Sequence, residues 1–166
     1  MVKPARMLRH LLTPDWVVHR LFPQPALQAV EAAIAASEQN HAGEIRFAVE
    51  AALTPARLLR GETARDRAIE VFSTLRVWDT ENNNGVLIYV LLADHDVEIV
   101  ADRGLNGRVS PDEWEAVCRG MEQAFGKRAY GAGTLAAVAE IGKLLQGRLP
   151  PRATGPNELP DRPMLL

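Results

Sequence analysis

The sequence predicts an α/β domain, a three-layer α/β/α sandwich around a small mixed β-sheet. Three observations carry this. Residues 86–92 read Val-Leu-Ile-Tyr-Val-Leu-Leu, a continuous apolar run of the kind found in strands covered on both faces. Ile45, Phe47, Val49 and Ala51 alternate with Glu44, Arg46, Ala48 and Glu50, the period of a half-buried strand. Stretches with helical spacing and clear start signals flank both.

The elements follow in order. Residues 1–22 form a basic segment with apolar positions at Met7, Leu8, Leu11, Leu12, Trp16, Val17, Leu21 and Phe22. It either packs on the domain or presents a basic amphipathic patch to an anionic lipid surface or a partner. Pro23 and Pro25 open a helix to about residue 40, with Leu27, Val30 and Ile34 on one face. After strand 44–51, Thr63 caps a helix over 64–76 with Ala68, Val71, Phe72 and Leu75 at helical spacing. Strand 86–92, the polar turn Ala93-Asp94-His95-Asp96 and a strand to Ala101 read as a hairpin. Ser110-Pro111-Asp112-Glu113 is a helix start, with Trp114, Val117, Cys118, Met121 and Phe125 as its stripe and Gly126 as its stop. A last helix covers 131–146, burying Leu135, Val138, Ile141 and Leu145. The α/β domain therefore spans 23–147, and residues 148–166, with five prolines, form an extended tail. The crossover through helix 64–76 makes strands 44–51 and 86–92 parallel.

Composition narrows the function classes. The chain has 166 residues, 24 of them alanine, with 47% hydrophobic but only 5% aromatic side chains. That is one domain's length, with a mix that favours packed helices over an all-β sandwich. Lys+Arg 19 against Asp+Glu 21 leaves net charge -2, which excludes a global basic footprint for nucleic acid. The single cysteine, Cys118, excludes an internal disulfide and any zinc site with two cysteine ligands, and reads as a buried thiol. No apolar run reaches the roughly 18 residues of a membrane span. Only Leu11 and Leu12 follow the basic start before Thr13-Pro14-Asp15, far short of a signal peptide's apolar region, so a cytoplasmic location is the expectation.

Several tempting strings fail on context. Gly131-Ala-Gly133-Thr-Leu-Ala136 follows a helix where a dinucleotide fingerprint follows a strand, so no nucleotide cofactor is expected. Gly126-Lys127-Arg128 has Arg where a phosphate loop needs Ser or Thr. Asp94-His95-Asp96 resembles an aspartyl-phosphatase motif, but a strand follows at once and Glu98 stands where a small residue belongs.

One constellation survives. Asp79-Thr80-Glu81-Asn82-Asn83-Asn84-Gly85 enters the central strand, and Asp102-Arg103-Gly104 leaves its hairpin partner. Antiparallel pairing brings Asp79, Asn84 and Asp102 to one rim, with His41 and Glu44 facing it from the parallel strand. Such a rim supplies oxygen ligands for Ca2+ or Mg2+. Equally, Asp79 and the asparagines make side-chain-to-backbone turns while Asp102 pairs with Arg103 or caps a short helix.

The segments Arg65–Thr80 ending Val-Trp-Asp-Thr, Asn82-Asn83-Asn84-Gly85-Val86-Leu87-Ile88 and Glu98–Gly104, with Trp114 on the next helix, resemble the TPM-domain family over about residues 24–147. This is the family of a plant thylakoid-lumen protein linked to photosystem II repair. The resemblance implies an α/β/α sandwich and, in some members, weak acid-phosphatase activity or divalent-cation binding at an acidic rim. The matching metal positions here are Asp79, Asn84 and Asp102, with Glu44 added by geometry; Asp79, Asp102 and Arg103 are the catalytic candidates. Without a secretion signal or transmembrane helix, the sequence looks more like the soluble bacterial members. The expected function is a non-catalytic, cation-binding adaptor for an unidentified protein partner; the alternative is a weak metal-assisted phosphatase.

Overall fold

The computed structural model describes residues 3–152 and 155–166; residues 1–2 of the basic segment and 153–154 of the expected tail lie outside the described residues. Strand β1 (Glu44–Glu50) runs parallel to β2 (Gly85–Leu91), with Ile45 opposite Val86 and Val49 opposite Val90. β2 pairs antiparallel with β3 (Asp96–Ala101), Val86 opposite Ala101 and Leu91 opposite Asp96. The last strand, β4 (Met164–Leu165), pairs parallel with β1 at Ala48 and Val49, so the sheet order is β3-β2-β1-β4. The sheet is mixed, as the sequence predicts.

Helices cover both faces. Ile45, Phe47, Val49, Val86, Ile88 and Val90 pack against α3 (Gln24–Glu38), α6 (Pro111–Gly126) and α7 (Tyr130–Gln146), through Val30, Ile34, Met121, Phe125, Val138 and Ile141. Ala48, Leu87, Tyr89 and Leu91 face α4 (Pro55–Leu59) and α5 (Ala64–Thr74), with Leu58, Ala68, Val71 and the C-terminal Leu159. Two capping boxes fix helix starts: Thr63 with Asp66 on α5, and Ser110 with Glu113 on α6.

The basic N-terminal segment folds into α1 (Pro4–Leu11) and α2 (Trp16–Leu21). α2 delivers Val18 and Phe22 to the core, where Phe22 meets Phe47, Phe125 and Tyr130 with ring centroids 5.7, 6.1 and 5.8 Å away.

β1 departs from the half-buried expectation, because all seven of its residues are buried. The polar face is compensated rather than solvated. Glu50 accepts from Tyr89 Oη at 2.7 Å and Arg67 Nε at 2.8 Å. Arg46 Nη1 donates to the Pro160 carbonyl at 2.5 Å. The segment 155–166 thus straps across β1, and it is the strap that turns a half-buried strand into a central one.

Candidate functional site

The loop before β2 and the turn after β3 interlock at one rim of the sheet. Asp102 N–H donates to the Gly85 carbonyl at 2.9 Å, Gly104 N–H to Asn83 at 2.9 Å, and Glu44 N–H to Asn84 at 3.2 Å. Two glycines make the approach possible. A Cβ on Gly85 would overlap the Val77 carbonyl, and one on Gly104 would overlap the Asn82 and Asn83 carbonyls. Asn83 takes a left-handed conformation, φ 51°, which asparagine tolerates.

Asn84 is buried at 2% exposure. Its Nδ2 donates to the Ala42 carbonyl at 2.5 Å and its N–H to Thr80 Oγ1 at 3.1 Å, which fixes the amide with Oδ1 buried and without a donor. Asp102 caps the short turn Arg103–Leu105: Oδ1 accepts the Arg103 N–H at 2.7 Å, while Oδ2 is buried and has no donor. Arg103 is exposed, with Nε 3.4 Å from Asn83 Oδ1.

The other sequence-predicted residues sit apart. Asp79 is about half exposed and forms an ion pair with Arg76 at 2.7 Å; the Arg76 guanidinium also lies 5.6 Å from the Trp78 ring centre. Glu44 turns toward the C-terminal strap, where Oε1 meets Arg152 Nη2 at 3.1 Å and Oε2 accepts the Leu159 N–H at 3.3 Å. Burial raises the Glu44 carboxyl, with Arg152 and the Leu159 N–H opposing. His41 is fully buried, with Nδ1 accepting the Gly43 N–H at 3.1 Å and Nε2 3.0 Å from Ser37 Oγ. Burial lowers its pKa, so the ring stays neutral and occupied. Among the described residues no three His, Cys, Asp or Glu side chains gather in a metal-binding group. The rim's distinctive feature is instead the pair of donorless oxygens on Asn84 and Asp102, which residue spacing alone does not reveal.

A concavity of about 750 Å³ lies elsewhere, along the outer edge of β3, lined by Asp96, Glu98, Cys118 and Glu122 among others. Burial, then repulsion from Glu98 and Glu122, pushes Asp96 up to about 6. The edge itself is covered: Glu122 Oε1 accepts the Val97 N–H at 3.2 Å, and Arg65 Nη1 donates to the Ile99 carbonyl at 2.5 Å.

Comparison with known proteins shows the family and the fold. The family model of the TPM domain matches residues 19–144. The solved BA42 protein from the psychrophilic bacterium Bizionia argentinensis is 29% identical, with 86% of this chain and 93% of that chain covered at a TM-score of 0.75. The N-terminal domain of a P. gingivalis protein shares the fold at 18% identity and a TM-score of 0.62, over 87% of this chain and 95% of that one. No curated protein matches the sequence.

Proposed function

The chain belongs to the TPM-domain family, and we propose that it is a non-catalytic interaction module whose rim binds a divalent cation, Ca2+ or Mg2+. The observation that carries this reading is the pair of buried, donorless oxygens, Asn84 Oδ1 and Asp102 Oδ2, at one end of the β2–β3 pair. A buried acceptor without a donor costs about 1–3 kcal/mol, and native structures retain such atoms where something else satisfies them. Carboxylate and amide oxygens are what hard cations take, with turn carbonyls and water completing the shell. Asp79 joins this set by leaving Arg76, an exposed pair worth about 0–1 kcal/mol. Glu44 stays with Arg152 and is a secondary candidate.

The docking half of the proposal rests on Trp78, 48% exposed, and on the exposed Arg103. Tryptophan and arginine are the residue types that most often anchor protein interfaces. In the alternative, a weak metal-assisted phosphatase, Arg103 would neutralise charge on a transferring phosphoryl group. The engagement of His41 by Ser37 and Gly43 favours the module over the enzyme, since it occupies both ring nitrogens of the histidine that strand direction sets toward the rim as a candidate base.

The deciding assay is p-nitrophenyl phosphate turnover by wild type, Asp79→Ala and Asp102→Ala, beside thermal unfolding in EDTA and in millimolar calcium. The proposal expects stabilisation by calcium that Asp102→Ala removes, and no turnover above a mock purification. Turnover abolished by both substitutions with folding intact overturns it in favour of the phosphatase.

A further inference from the structure

Four large apolar side chains crowd one short stretch of surface. Leu8, Leu11, Leu12 and Trp16 are 57%, 62%, 71% and 58% exposed. Spacing of i, i+3 and i+4 along α1 sets the three leucines on one stripe. An apolar patch kept in water at this density marks a contact surface.

The inner side of α1 is tied down by polar contacts converging on Asp94. Arg6 Nε and Nη2 reach Asp94 Oδ2 at 3.0 and 2.7 Å. His10, 4% exposed, lies 3.0 Å from Asp94 Oδ1 through Nε2, while its Nδ1 accepts the Leu53 N–H at 2.9 Å. Eight residues are too few for a helix to persist alone in water, so this anchorage holds α1 in place. The leucines are therefore displayed on a fixed mount.

Charge identifies what covers them. Residues 1–22 carry Lys3, Arg6, Arg9 and Arg20 against Asp15 alone, and the remainder holds 15 Lys+Arg against 20 Asp+Glu. Arg6 is engaged by Asp94, and Arg9, half exposed, reaches the same carboxylate with Nη2 at 3.3 Å, whereas Lys3, just before α1, and Arg20 on α2 are exposed beside the apolar patch. A protein groove would accept the leucines but has no need of exposed cations on an otherwise acidic chain. Apolar stripe, tryptophan and flanking cations together match a helix lying in the headgroup layer of an anionic bilayer.

We infer that α1 and the start of α2 form a peripheral membrane-docking face for anionic lipid. Leu8, Leu11, Leu12 and Trp16 enter the headgroup layer while Lys3 and Arg20 meet lipid phosphates. The inference stands independently of the rim.

Flotation of the full chain with phosphatidylglycerol–phosphatidylcholine vesicles, beside pure phosphatidylcholine, tests it. Wild type is expected to float with the anionic vesicles only, less so as salt rises. Leu11→Ser/Leu12→Ser and, separately, Lys3→Glu/Arg20→Glu are expected to weaken binding by roughly tenfold or more, with melting temperatures confirming that each still folds. Failure of wild type to bind anionic vesicles at low salt overturns the inference, as does equal binding by the leucine variant. A concentration-dependent dimer that the leucine variant breaks, with no vesicle binding, overturns it in favour of contact between copies of the chain.

Discussion

Gly104 lies directly on the backbone of Asn83, its N–H donating to the Asn83 carbonyl at 2.9 Å with no space for a Cβ against the same oxygen. This contact ties the Asn82-Asn83-Asn84-Gly85 string to the Asp102-Arg103-Gly104 string. It holds Asn84 and Asp102 at one rim, so these two short motifs are packing requirements before they are chemistry.

Gly104→Ala is accordingly expected to cost about 2–4 kcal/mol, because the clash is with backbone that cannot swing away. Gly120→Ala is the control, since a Cβ there meets nothing within 4 Å. Mid-helix, it is expected to be neutral or to stabilise by about 0.5–1 kcal/mol. Urea denaturation of the two variants checks both signs.

Asp94 anchors α1, and Asp94→Ala leaves Arg6 and the buried His10 without their partner. The expected cost is about 2–3 kcal/mol, with amide exchange in residues 4–11 rising more than in the sheet. Burial raises the Asp94 carboxyl, but hydrogen bonds from Arg6 and His10 outweigh it and hold it below the ordinary aspartate value. A lowered carboxyl contributes stability that is present above the unfolded pKa and lost as pH falls. Wild type should thus lose more stability than Asp94→Asn on acidification below about pH 4.

Glu38 has the opposite sign. Burial pushes its carboxyl up to about 8, against the Ile45 N–H, which donates to Oε1 at 2.7 Å, and with Glu44 adding repulsion. The folded state therefore holds a proton that the unfolded chain releases near pH 4.5, the ordinary glutamate value. Stability from this group is full below that pH and declines as pH rises through about 8. Denaturation midpoints should fall between pH 5 and 9 in wild type, with Glu38→Gln flattening the decline.

Cys118 borders the β3 cleft beside acidic neighbours. Burial, then Glu98 and Glu122, pushes its thiol up to about 12, so little thiolate exists at neutral pH. Labelling by a disulfide reagent at pH 8 should be slower by about 100-fold or more in the folded protein than in urea. Equal rates would contradict the packing of this helix.

Local signals were the readable part of this chain. The Thr63 start and the Ser110–Glu113 box appear where their side chains demand, and the apolar run at 86–92 becomes the fully buried β2. The meeting of the β2 start with the β3 end at one rim, Val86 opposite Ala101, was also readable, because hairpin register brings the two ends together whatever the surrounding detail. Contacts of long sequence separation were not. Two residues, Met164 and Leu165, suffice to add a fourth strand beside β1, and no periodicity is visible over so short a strand. His10 and Asp94 are brought together by the N-terminal helix, which a basic segment does not announce. Glu44 and His41 were placed by strand direction alone, and strand direction carries no information on Arg152, Ser37 or Gly43, which engage them.

The proposed cation site at the rim is tested most directly by calorimetric titration of chelator-treated protein with calcium, wild type beside Asp102→Ala and Asn84→Ala. The account predicts a single saturable site in wild type that both substitutions abolish or weaken by about tenfold or more, with folding retained. No heat of binding in wild type, or binding that survives both substitutions unchanged, would contradict it.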